Sequence, residues 1–368
     1  MRISYGPEGF FQKHGGISKY FTRIADGVAG KGHSVGVIAP LFLTEGLKDL
    51  SHAQLEGALL TADSKWLRSV LRTGSILKGR ATIARRKPDI FHPTYYSLLD
   101  VLPSPAKTVL TVYDFVHEKI GGRSVAEKNL TILRKRAAIH RADLILAISE
   151  NTRNDLLELF PRIDPATVIV TPLGVETNPY RPPAEPVHKD NRTILWVGPR
   201  GRYKNFQVVI AALKFLSKAL LEDTNLVVFG GEPLTGADVQ ELVDSGLQRR
   251  SISQEFGDDA KLADHYRNAR MLLYTSKYEG FGLPILEAMA NGCPVICSAV
   301  SSMPEVAGNA GLLVNPESPE QVAAAIKELM ENDDTWLRLQ REGLERADIF
   351  SWEACIEKTE RAYLSVLD

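Results

Sequence analysis

Two glutamates on one short stretch carry the densest chemical signal. Glu279 and Glu287 lie in 278–293, YEGFGLPILEAMANGC, where an apolar run ends, a Gly-containing loop follows and Pro284 opens a helical pattern. Proline fits a first helical turn, because its missing N–H would have no intrahelical partner there. A loop of Gly280, Phe281, Gly282 and Leu283 at a helix start aims backbone amides at an anion, and the helix N-terminus adds partial positive charge. A diphosphate is the guest this combination fits. Carboxylates beside it accept paired hydrogen bonds from neighbouring hydroxyls, which is the chemistry of a sugar. Taken singly, Glu279 could complement the helix dipole and Glu287 could be a solvated surface residue; the loop as a whole favours a ligand site.

A second group, VGPRGRYKNF at 197–206, places Arg200 and Lys204 directly after an apolar β-run. Ligands of open α/β sheets bind at the carboxyl ends of strands. Two cations there would neutralise phosphates and stabilise a departing nucleotide. A third, TVYDFVHE at 111–118, carries Asp114, His117 and Glu118 past another strand, with Asp114 readable either as a substrate contact or as a cap on the strand end. Gly15 and Gly16 precede the first long helical pattern and by themselves mark only a turn.

The elements that must position these residues are βα units. Apolar β-rich runs at 3–5, 34–40, 89–91, 108–114, 143–149 and 167–172 alternate with helical patterns, as parallel sheets require. Between the first two, Ile17, Tyr20, Phe21, Ile24 and Val28 form an amphipathic stripe. The stretch 180–192, YRPPAEPVHKDNR, has three prolines among charges and no apolar period, and reads as a linker. Beyond it, runs at 193–198, 226–231, 271–276, 294–298 and 311–316 restart the alternation. The sequence therefore predicts an α/β protein with an N-terminal domain over 1–180, a linker over 181–192 and a C-terminal domain over 193–350. A last helix over 351–368, with Trp352, Cys355, Ile356, Thr359, Tyr363 and Val366 on one side, needs a surface to cover.

Length and composition agree with two packed domains: 368 residues, 44% hydrophobic and 24% charged. Three cysteines are too few for a disulfide framework, and Cys293 and Cys297 lack a second pair for a zinc site. The N-terminus has no secretory pattern and no segment reaches the length of a membrane span, so a cytoplasmic protein is expected. Residues 1–180 carry 24 Lys and Arg against 17 Asp and Glu, an excess too diffuse to indicate nucleic acid. Within that half, 65–87 holds eight basic and no acidic residues, interleaved with Trp66, Leu67, Val70, Leu71, Ile76 and Leu77. That pattern fits either peripheral contact with an anionic membrane or a basic helix pair packing its apolar side inward.

Together, Gly15-Gly16-Ile17, SENTRNDL at 149–156, PLGV at 172–175, VGPRGRYKNF and the E-x7-E element from Glu279 to Glu287 resemble family 4 of the retaining GT-B glycosyltransferases, over nearly the whole chain. The resemblance implies two Rossmann-like, doubly wound domains facing a central cleft, the N-terminal one for the acceptor and the C-terminal one for a nucleotide-sugar donor, with the last helix crossing back. It implies that Glu279 approaches the donor sugar, Glu287 the ribose, Arg200 and Lys204 the diphosphate, and the loop of Gly15 and Gly16 the donor phosphates. It implies no metal or other cofactor. Many relatives carry His-Asp where this chain has Tyr113-Asp114, which leaves Asp114 and His117 both as candidates for the sugar contact. Similar enzymes offer no well-placed carboxylate nucleophile, so retention is expected by departure of the nucleoside diphosphate and attack on the same face. The bacterial subgroup points to GDP-mannose first and UDP- or dTDP-hexoses next, with a glycan or lipid-linked oligosaccharide as acceptor. A dehydrogenase is disfavoured, because ISYGPEGFF is not G-x-G-x-x-G. A sugar-nucleotide epimerase of the same fold and a non-catalytic sugar-binding relative are the other rivals.

Overall fold

The computed structural model describes residues 1–12, 15–60, 65–97, 106–121, 125–176, 192–201 and 203–368, excluding the side chains of 65–70 and 125–128. The chain divides into two compact units, Met1–Gly174 with Trp352–Asp368, and Val175–Ser351. The expected linker over 181–192 lies, apart from Arg192, outside the described residues.

The first unit is a seven-stranded sheet of order β3-β2-β1-β4-β5-β6-β7. Its strands are β1 Arg2–Tyr5, β2 Ser34–Phe42, β3 Gln54–Leu59, β4 Ile90–His92, β5 Lys107–Val112, β6 Leu144–Ala147 and β7 Val168–Val170. All pairings are parallel, with Ile3 opposite both Val35 and Ile90. Continuous apolar strands such as LILA bury both faces, as helix-covered parallel sheets demand. Helix Gly16–Gly30 buries Tyr20, Phe21, Ile24 and Val28, the side that the sequence pattern marks.

The C-terminal helix Trp352–Ser365 belongs to this unit and is fastened to it by polar as well as apolar contacts. A Cβ on Gly174 would lie 2.7 Å from Trp352 Cα, so only glycine permits this approach. Tyr363 Oη is 2.8 Å from Tyr5 Oη and 2.6 Å from His92 Nδ1, and His92 Nε2 is 3.0 Å from Thr111 Oγ1. Burial pushes His92 down to about 3, so the ring is neutral.

The second unit is a six-stranded parallel sheet of order β10-β9-β8-β11-β12-β13. These strands are β8 Thr193–Val197, β9 Asn225–Phe229, β10 Ile252–Glu255, β11 Met271–Tyr274, β12 Val295–Ser298 and β13 Gly311–Val314. Strand order reverses between β8 and β11, so the loops after these two strands flank the crevice where such sheets bind ligands. Trp196, Phe206, Leu213, Met271, Leu329 and Trp336 belong to the core packed against this sheet.

The two readings of 65–87 meet a mixed answer. The segment is one helix, Lys65–Arg86, rather than a pair. Its Ile76, Ile83 and Arg80 are buried, whereas Leu77 is 55% exposed. Trp66, Leu67 and Val70 have side chains outside the described residues. Among the described residues no helix is long and apolar enough to cross a membrane.

Candidate active site

The loops after β8 and β11 converge in the second unit. Past β8 the chain turns, with Lys204 N–H bonded to Gly201 O at 2.8 Å, before helix Phe206–Leu213. Asn205 takes the left-handed conformation at φ 62° and uses its amide to tie this turn to Thr275 O at 3.1 Å and Pro316 O at 2.7 Å. Asparagine tolerates that conformation better than most residues. Lys204 is thereby aimed at β11: its Nζ donates to Tyr274 Oη at 3.0 Å and to Glu279 Oε1 at 2.7 Å, and lies over the Tyr203 and Tyr274 rings. Both charged side chains are mostly buried, at 11% and 13% exposed. Burial, and then the Glu279 carboxylate, push the Tyr274 hydroxyl well above its ordinary value, so it stays protonated.

Glu279 is fixed from behind as well. Its N–H donates to Ser301 Oγ at 3.2 Å, and its carbonyl accepts from Ser301 Oγ and from Ser302 Oγ. Ser302 Oγ also lies 2.8 Å from Phe281 O. The loop after β12 therefore holds the loop after β11. Gly282 caps helix Leu283–Ala290 at φ 103°, a left-handed position that favours glycine, and Pro284 falls in the first turn as the sequence indicates. Glu287, one turn further, accepts from Tyr266 Oη at 3.2 Å. Burial, then Glu287, raise the Tyr266 hydroxyl well above its usual range.

Arg200 sits elsewhere on this rim. Its guanidinium donates to Glu232 O at 2.7 Å and Pro233 O at 3.0 Å, and faces Asp238 at 3.6 Å. It is thus bound to the loop after β9, whereas Lys204 is bound to Glu279.

In the first unit Asp114 Oδ1 accepts from Val116 N–H at 3.1 Å, at the first residue of the short helix Val116–Lys119, whose N-cap position is Phe115. His117 Nδ1 is buried and has no hydrogen-bond partner among the described residues. Lys135, missed in the sequence, is 1% exposed and donates to Asp114 O at 2.7 Å and Glu118 Oε2 at 2.9 Å. Gly15 precedes helix Gly16–Gly30, and a Cβ on Gly16 would meet nothing within 4 Å among the described residues.

Tyr274, Asn205, Ser301 and Ser302 also escaped sequence reading. Tyr274 looks like core at the end of MLLY, and the serines look like loop filler after β12. Among the described residues no three acidic, His or Cys side chains group to hold a metal ion.

Residues 14–179 match the family described as Glycosyltransferase Family 4, and 181–346 match Glycosyl transferases group 1. The chain belongs to the family 4 GT-B glycosyltransferases. The O-antigen chain mannosyltransferase B of Escherichia coli is 35% identical over 61% of this chain and 61% of its own length. The MMP alpha-(1->4)-mannosyltransferase of Mycolicibacterium hassiacum is 28% identical over 63% of this chain and 56% of its own. These matches thus span less than two thirds of either relative. Sucrose-phosphate synthase from Thermosynechococcus elongatus superposes with a TM-score of 0.74 at 20% identity, covering 99% of this chain and 98% of that one, which shows the shared GT-B fold.

Proposed function

We propose that this family 4 glycosyltransferase is a retaining, metal-independent hexosyltransferase that moves mannose from GDP-mannose to a glycan or lipid-linked acceptor in cell-surface polysaccharide assembly. The observation that carries the reading is the Lys204–Glu279 pair at the β8/β11 switch, beside a glycine-capped helix start. Such a site offers a cation and backbone amides to a diphosphate and a carboxylate to sugar hydroxyls.

In the reaction the anomeric carbon–oxygen bond to the diphosphate breaks and the acceptor oxygen bonds to that carbon on the same face. The acceptor proton passes to a leaving phosphate oxygen. Lys204 and the amides before Leu283 stabilise the charge that develops on that leaving group, which is electrostatic catalysis by preorganised donors. Arg200 joins them by exchanging its carbonyl partners for phosphate. Glu287 holds the ribose. Gly16, whose Cβ side is bare among the described residues, lets backbone approach a phosphate. His117, whose Nδ1 has no hydrogen-bond partner among the described residues, is the better candidate for the donor-sugar contact than Asp114, whose Oδ1 already accepts from Val116 N–H. The first unit binds the acceptor, and exposed Leu77 beside Lys78 supports a peripheral contact with an anionic cytosolic membrane face. Mannose is supported by the likeness to the E. coli and M. hassiacum mannosyltransferases.

Thermal-shift titration with GDP, UDP, dTDP and their hexoses, followed by NMR of the product's anomeric proton, tests this. GDP-mannose stabilisation and an α-linked product are expected. Selective UDP binding would reassign the donor, and sugar-nucleotide isomerisation without acceptor would make the protein an epimerase.

A further inference from the structure

The first unit contains an open pocket of about 200 Å³ lined by Glu8, Phe11, Gln12, Ile17, Arg72 and Tyr95. We infer that this pocket is a subsite for one neutral hexopyranose ring of the acceptor, recognised by Gln12, Arg72 and the Phe11 ring. The inference rests on the transferase reading above and gives its acceptor a place and a class.

Size, polarity and rigidity each bear on it. The volume falls below the 300–1,000 Å³ typical of drug-sized ligands and matches a single sugar ring. The lining carries one carboxyl, Glu8, already paired with Arg80, and one guanidinium, Arg72, whose charge also acts on Glu8. A sugar hydroxyl, which both donates and accepts, suits a wall that offers a guanidinium, a side-chain amide and a phenol. Phe11 and Ile17 supply apolar surface for the C–H side of a ring, and Arg72 lies over the Phe11 ring at 6.0 Å.

The pocket wall is also built before any ligand arrives. Thr94 Oγ1 accepts from Gly9 N–H at 2.8 Å and donates to Gly6 O at 2.9 Å. Thr44 Oγ1 donates to Gln12 O at 2.8 Å, and Leu43 N–H donates to Phe10 O at 2.8 Å. Arg80, one more member of the helix that carries Arg72, clamps Glu8 at 3.2 Å and Ser97 at 3.0 Å. A loop so fastened loses little freedom on binding.

Saturation-transfer NMR on the full chain with methyl α-D-mannopyranoside, methyl α-D-glucopyranoside and inorganic phosphate tests this. A hexoside should bind, and Phe11→Ala and Arg72→Ala should each weaken it about tenfold or more. Phe11→Tyr, which keeps the ring, and Leu77→Ala, on the exposed part of the same helix, should leave it unchanged. Hexoside binding unaltered in both alanine variants, no hexoside binding, or phosphate binding alone would overturn the inference. Donor hydrolysis and nucleoside diphosphate binding are measured on the same samples. If they persist while hexosides fail, only this subsite is wrong; if they are absent, the transferase reading itself falls.

Discussion

Lys204 Nζ and Glu279 Oε1 lie 2.7 Å apart, although 75 residues separate them in sequence. The pair couples the cation proposed for the phosphate to the carboxylate proposed for the sugar, so neither is independent of the other. Removing Glu279 leaves Lys204 with the Tyr274 hydroxyl alone among the hydrogen-bond acceptors described for it. A double-mutant cycle of Lys204→Ala and Glu279→Ala, read by urea denaturation, should give a coupling of about 0.5–3 kcal/mol. Strict additivity would mean that the pair is fully screened and carries no stability.

Arg80 and Glu8 form a second pair, with side chains 8% and 2% exposed. Burial raises the Glu8 carboxyl above its usual value, and the Arg80 guanidinium opposes that shift. Arg80→Met should therefore destabilise by about 3–5 kcal/mol at neutral pH, because a buried charge loses its partner. The sign with pH follows from a raised folded value. The folded state then binds more protons than the unfolded one, so stability falls as pH rises past the unfolded value. The deficit of Arg80→Met should shrink as pH is lowered, and Glu8→Gln should recover most of it. Equal deficits at pH 5 and pH 8 would contradict this.

Much of the fold is legible in the sequence because central parallel strands must be apolar on both faces. The two strands that sequence reading missed, β3 and β10, are each at a sheet edge. Their sequences, QLEGAL and ISQE, are partly exposed throughout and lack an apolar run. Edge strands tolerate polar residues, so the hydrophobic signal vanishes there. The candidate site was legible where its geometry is local, as in the glycine-capped helix start and Pro284. It was not legible where chemistry depends on partners far along the chain. Nothing in VGPRGRYKNF tells that Lys204 turns to Glu279 while Arg200 turns to carbonyls of 232 and 233. Nor does a run of basic residues reveal that Arg80 is buried on Glu8.

His92 gives a pH dependence of the opposite sign. Its ring is in contact with Tyr5, Phe21 and Tyr363, with no charged group hydrogen-bonded to it among the described residues. Because its folded value is lowered to about 3 from 6.5, the unfolded chain binds the extra proton. The stability it contributes is complete above pH 6.5 and is lost as pH falls toward 3, by up to about 1.4 kcal/mol per pH unit. Denaturation midpoints of the native protein and His92→Gln across pH 7 to 4 should converge on acidification, the variant having the flatter profile. Parallel profiles would show that His92 does not titrate in this way.

Glu279 and Glu287 should fail differently when each is made neutral. Glu279→Gln removes the ionic partner of Lys204 but leaves the side-chain shape, so nucleoside diphosphate affinity should stay level or rise while transfer falls. The reason is that the partners proposed for Glu279 are sugar hydroxyls, which a bare nucleotide lacks, and that Lys204 is released toward phosphate. Glu287 instead accepts from Tyr266 and is proposed to hold the ribose, common to donor and product. Losing a charged acceptor costs about 1.5–3 kcal/mol, so Glu287→Gln should weaken nucleotide binding about 10- to 150-fold and lower transfer with it. Calorimetry with the nucleoside diphosphate, alongside turnover of the intact donor, reads both quantities on one preparation. Loss of nucleotide binding in Glu279→Gln with retention in Glu287→Gln would reverse the two roles, yet leave the fold and the family as they stand.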